Sequence, residues 1–215
     1  MPSPPERLFV PGWGTTGHLY EAGLPKGWQA LEPPTFVTSD GSFEVFRRWL
    51  IDELDRRPAG IELAGHSMGG ALAIAAAAQR PNRVKSLLLI TPAGVPLAKP
   101  FWRSARDFVA QVCRGRYPLE DAARSVREVL RAPRSALRLA REVHGADLSA
   151  EMAAVREAGI PTTVVGCASD TLVTPRLCRR ASALLGSAYV ELPLPGGHMW
   201  MLRAWPSFVR LLSQA

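Results

Sequence analysis

The chain has 215 residues, of which 47% are hydrophobic, and a formal net charge of +7; that length suits one domain with a sizeable core. No apolar run approaches the roughly twenty residues that span a bilayer, which excludes a membrane-spanning helix. The charge comes from 23 arginines against three lysines, and because acids are interspersed and no basic cluster interleaves with aromatics, it reads as a solvated surface rather than a nucleic-acid site. An arginine-lined entrance for an anionic substrate, such as a carboxylate or a carrier-borne acyl chain, is the alternative.

Leu8-Phe9-Val10 predicts a first strand near residues 7–11, running into Pro11-Gly12-Trp13-Gly14-Thr15-Thr16-Gly17, whose glycines permit a sharp inward turn. His18 follows, either bordering a pocket or on a surface turn. A second strand is expected near 34–38, a helix near 42–57 and a third strand near 60–65. That strand leads straight into Gly65-His66-Ser67-Met68-Gly69-Gly70, and the alanine-rich run to Ala78 predicts a helix over 68–80. A serine held on such a strand-to-helix turn is strained and exposed, at a helix N-terminus where backbone N–H groups favour developing negative charge. The bland alternative is a glycine-rich turn with Ser67 as its N-cap.

After a fourth strand near 85–91, residues 95–158 read almost entirely as helix, with apolar stripes such as Phe101, Phe108, Val109 and Val112, and with Pro118 and Pro133 at helix starts. This insertion divides the chain into a core of 1–94 and 159–215 and a helical layer of 95–158. It carries 12 basic residues against eight acidic ones. A fifth strand near 161–166 ends in a loop holding Asp170, which alternatively caps the helix expected near 175–185. A sixth strand near 188–192 precedes Pro195-Gly196-Gly197-His198, and a last helix is expected near 203–213. Asp170 and His198 thus lie beyond strand C-terminal ends, where open α/β sheets assemble their sites. Among the four histidines, His66 reads as a packed neighbour and His144 as a helix C-terminal cation, which leaves His198 as the base.

Ser67, His198 and Asp170 together suit acyl transfer: the imidazole takes the serine proton and the carboxylate fixes its tautomer. The oxyanion needs two backbone donors, expected from the N–H groups of Met68 and Trp13. Phe101, Trp102, Met199, Trp200 and His18 are candidate pocket walls, with core packing or a surface role as the alternative for each.

The segments VPGWG, GHSMGG, Asp170-Thr171-Leu172-Val173-Thr174-Pro175 and GGHMWMLRAWPSFVRLL resemble the oxyanion loop, nucleophile elbow, acid loop and terminal histidine of the α/β-hydrolase superfamily, and the match spans nearly the whole chain. The resemblance implies a three-layer α/β fold with a trimmed, mostly parallel sheet of about six strands, the two usual leading edge strands being absent. It implies the order Ser67, Asp170, His198 and a lid at 95–158. Pro11 stands where the family usually has histidine, and the DxxGxGxS segment is missing. A serine nucleophile argues against the epoxide hydrolases and haloalkane dehalogenases, which use aspartate there.

Cys113, Cys167 and Cys178 lack metal-ligand spacing and read as reduced thiols. Met1-Pro2-Ser3-Pro4-Pro5 lacks a signal pattern, so cytoplasmic residence is expected. Neither a cofactor nor a metal is expected, nor a nucleic-acid or membrane partner, and oligomeric state is open. An ester or thioester hydrolase acting on a small acyl substrate leads. A C–C hydrolase or lyase using the same residues on a small organic acid, and a non-catalytic binder of this fold, are the alternatives.

Overall fold

The computed structural model describes residues 6–21, 23–114 and 118–214, with the side chains of residues 113, 114 and 214 outside that description. The expectation of a reduced thiol at Cys113 therefore lies outside the described residues. Among them are six strands: β1 (Arg7–Val10), β2 (Trp28–Ala30), β3 (Ile61–His66), β4 (Val84–Ile90), β5 (Thr162–Cys167) and β6 (Ala188–Leu192). They form one sheet in the order β2-β1-β3-β4-β5-β6, and every neighbouring pair is parallel.

A parallel sheet buries both faces, and period-two alternation sorts its apolar residues between two cores. Leu8, Val10, Leu63, Leu87, Leu89 and Val164 face one way, onto α2 (Phe43–Asp55), α3 (Met68–Gln79), α7 (Ser149–Glu157) and α8 (Pro175–Leu185). Phe9, Ala64, Leu88, Ile90 and Val165 face the other, onto α1 (Gly17–Glu21), a 3-10 segment (Gly197–Arg203) and α9 (Trp205–Gln214). α3 is apolar all round and buried continuously from Met68 to Ala77, as a helix at the centre of a domain must be.

Two departures from the sequence reading stand out. Residues 34–38 form a turn, not a strand: Pro33 and Pro34 have no N–H to give a ladder, and Thr35 and Thr38 trade side-chain-to-backbone hydrogen bonds at 3.2 and 3.1 Å. The second strand is instead the three-residue β2. The helical insertion also divides. α4 (Phe101–Arg114), α5 (Leu119–Arg131) and α6 (Pro133–Gly145) form a layer tied to the core by Ala136 and Leu139 of α6 and by α4 against the 3-10 segment, whereas α7 packs beside α3 and α8, with Met152 and Val155 in the main core. Among the described residues no helix is long and apolar enough to cross a membrane.

Candidate active site

β3 and α3 meet at Ser67, whose φ of 56° and ψ of −117° lie where non-glycine residues are uncommon. The flanking glycines make the turn possible. A Cβ on Gly65 would lie 2.4 Å from the Gly69 carbonyl oxygen, and one on Gly69 would lie 2.1 Å from that of Val10. The backbone is held on both sides: Ser67 N–H donates to the Ile90 carbonyl at 3.0 Å, and the Ser67 carbonyl accepts from Ala71 and Ala93 at 3.1 and 3.0 Å.

The structure brings Ser67, His198 and Asp170 together although they come from three different loops. His198 Nδ1 lies 2.7 Å from Asp170 Oδ2, and both side chains are fully buried. A carboxylate can only accept, so Nδ1 carries the hydrogen and, in the neutral ring, Nε2 presents its lone pair. That nitrogen is 2.8 Å from Ser67 Oγ, whose hydroxyl donates to it. The other oxygen of Asp170 accepts from the N–H groups of Leu172 and Val173 at 2.8 and 3.0 Å, so the acid also closes its own loop. Ser169 Oγ stitches that loop to the histidine segment, donating to the Leu194 carbonyl at 2.7 Å and accepting from Gly197 N–H at 3.0 Å.

His66, beside the elbow, is buried and locked. Its Nε2–H donates to the His198 carbonyl and its Nδ1 accepts from Tyr20 Oη, each at 3.0 Å. Burial first, and the neighbouring His198 second, hold its pKa well below the usual value of 6.5, while the bond to the His198 carbonyl opposes them. It is a neutral strut. Buried Cys178 is similarly inert, its thiol pushed up chiefly by burial.

The loop after β1 lies directly against the elbow: a Cβ on Gly12 would come within 3.4 Å of Ser67 Cβ. Trp13 follows, and its indole N–H donates to the Ala136 carbonyl of α6 at 3.2 Å. Met68 opens α3, so its N–H belongs to the first turn, which has no intrahelical acceptor. A cavity of about 310 Å³ opens at Ser67, walled by Trp13, the loop after β4, α4, α5, α6 and Leu172-Val173. Its lining is mostly apolar, with Ser67, Ser104 and the α6 residue His144 as polar members, and among the described residues no lysine, arginine, aspartate or glutamate contributes to it. A smaller cavity of about 80 Å³ lies beyond the Gly12–Thr15 turn and does not include Ser67.

Of the five expected pocket walls, Phe101 lines the large cavity and four do not. Met199 and Trp200 are buried at 1% and 0% exposure in the core on the far face of the sheet, because the 3-10 segment turns them inward, Trp200 against Phe208. Trp102, at 60% exposure, points outward and carries the guanidinium of Arg103 on its ring. His18 sits on the exposed side of α1 beside Glu21. The walls that the sequence reading did not single out, Val95, Ala105 and Ala140 among them, carry no local pattern that separates them from ordinary helix packing. Gln111 was also missed; it bonds to the His198 backbone.

The profile of a family described as "Alpha/beta hydrolase family" matches residues 8–211. A hydrolase from Pseudomonas aeruginosa PA01 shares the fold with a TM-score of 0.72 at 17% identity, over 99% of this chain and 90% of that one. The enol-lactonase from Burkholderia xenovorans LB400 does so with a TM-score of 0.75 at 18% identity, over 99% and 91%. No curated protein matches the chain by sequence.

Proposed function

The chain belongs to the alpha/beta hydrolase family, and from that premise we propose that it is a serine hydrolase that cleaves a carboxylic ester or thioester through an acyl-enzyme on Ser67. The observation that carries this reading is the continuous relay from Asp170 through His198 to Ser67, with contacts of 2.7 and 2.8 Å. As Ser67 Oγ attacks the carbonyl, His198 Nε2 takes its proton and returns it to the leaving group; Asp170 holds the ring and stabilises the imidazolium. Water then repeats the sequence on the acyl-enzyme. The oxyanion is received by the N–H groups of Met68 and Trp13, each worth about a hundred- to a thousand-fold in turnover.

The α4–α6 layer acts as the lid of this site, and the acyl chain occupies the cavity beneath it. The described lining is mostly apolar, with Ser67, Ser104 and His144 as its polar members, which suits a largely apolar acyl chain. Turnover of p-nitrophenyl butyrate tests the proposal. The expected result is a burst of nitrophenolate followed by steady turnover, both abolished by Ser67→Ala. Equal activity in Ser67→Ala would refute it.

A further inference from the structure

α4 contributes a side chain that the proton relay does not use. Gln111 is only 3% exposed, where α4 docks on the Gly197–Arg203 segment and neighbouring Val112 packs against the core around Met199 and Trp200. Its amide fits only one way round. The His198 backbone N–H is a donor, so the atom facing it is Oε1. Nε2–H then donates to Thr171 Oγ1 at 3.0 Å, in the loop just after Asp170. One amide thus ties together the segments carrying the acid and the base, 60 and 87 residues away along the chain. The approach is close enough that a Cβ on Gly197 would lie 2.2 Å from Gln111 Oε1. A second tether from the same insertion, Lys99 Nζ, donates to the Thr171 carbonyl at 2.7 Å.

We propose that Gln111 is a positioning residue: by gripping the His198 backbone and the Thr171 side chain at once, it fixes the imidazole between Ser67 and Asp170 and makes α4 part of the frame that aligns the relay. It transfers no proton and touches no substrate. Without it the buried His198 N–H would lose its acceptor, and the segment would settle elsewhere to find one. A displacement of about 1 Å at a reacting group costs on the order of a hundred-fold in rate. The inference rests on the proposed function.

Gln111→Met keeps the bulk and deletes both hydrogen bonds, whereas Gln111→Glu restores an acceptor for His198 N–H. With p-nitrophenyl butyrate, Gln111→Met is expected to lower kcat per titrated active site by about 10- to 100-fold while KM moves less than about 3-fold. Gln111→Glu is expected to recover most of that loss. A kcat for Gln111→Met within about 2-fold of wild type overturns the inference, as does a fall in Tm with turnover per active site unchanged. Recovery no better than Gln111→Met would mean that the acceptor for His198 N–H is not what the variant lacks, and would also overturn it. Should Gln111→Met not fold, Thr171→Val removes one of the two bonds from outside α4, and an unchanged kcat there overturns it equally. A wild type no faster than Ser67→Ala would bring down the proposed function itself; a fast wild type indifferent to Gln111 brings down only this inference.

Discussion

The two edges of the sheet carry buried polar groups of opposite design. At the N-terminal edge, near the start of β3, Glu62 is buried and clamped by Arg7 and Lys85, each at 2.7 Å. At the C-terminal edge, in the loop after β5, Asp170 is held by two backbone N–H groups and an imidazole, and the far nitrogen of that imidazole is directed at the strained Ser67 at the end of β3. The first carboxylate is saturated by cations and has nothing to give. The second leaves a lone pair facing a hydroxyl. One sheet thus pairs a carboxylate closed off by two cations with a carboxylate whose chain of hydrogen bonds runs on to a serine beside a cavity.

The largest effects should come from breaking the C-terminal end. Ser67→Ala and His198→Ala are each expected to lower turnover by about a thousand-fold or more, and Asp170→Asn nearly as much because it favours the wrong tautomer. Glu62→Gln, at the other end, should leave kcat within about 2-fold while costing about 1–3 kcal/mol of stability in urea unfolding.

Glycine substitutions sharpen the contrast. Gly69→Ala places a methyl 2.1 Å from the Val10 carbonyl oxygen, and we expect it to cost more than about 3 kcal/mol or to prevent folding. Gly60, just before β3, has a φ of +91° but open space around it, so Gly60→Ala should cost only the backbone strain, about 1–3 kcal/mol.

Acid should soften the two ends in sequence. His66 has a folded pKa below its ordinary 6.5, so its contribution to stability is present above pH 6.5 and is lost as pH falls from there towards the folded value. For Glu62, burial works to raise the pKa, but the hydrogen bonds from Lys85 and Arg7 outweigh it and the net shift is downward from 4.5; its contribution persists above pH 4.5 and is lost below it. Tm measured against pH should therefore fall first through the His66 window, a segment that His66→Gln flattens, and later through the Glu62 window, which Glu62→Gln flattens. The smallest effect belongs to exposed pairs such as Arg48 with Glu44: Arg48→Ala should shift stability by less than about 1 kcal/mol.

The sharp turn between β3 and α3, and the placing of Asp170 and His198 just after β5 and β6, were legible in the sequence because apolar runs mark the strands and glycines mark the turns. GHSMGG needs its glycines for contacts that fall within a few residues or on the adjacent strand, and the strands announce themselves by apolar runs. The strand expected at 34–38 failed because two threonines can satisfy one another within a turn, a competition that β-propensity does not register. Met199 and Trp200 were misplaced because a 3-10 turn sends residues next to His198 to the opposite core. Gln111 left no trace at all: its partners are 60 and 87 positions away, and a lone glutamine in a helix looks like solvent-facing polarity.

Reaction with a fluorophosphonate, followed by peptide mapping, tests most directly whether the C-terminal edge activates Ser67. A single stoichiometric adduct on the Ser67 hydroxyl is expected, absent in Ser67→Ala and formed far more slowly in His198→Ala. An unlabelled chain, or an adduct on a different residue while Ser67 stays free, would contradict it.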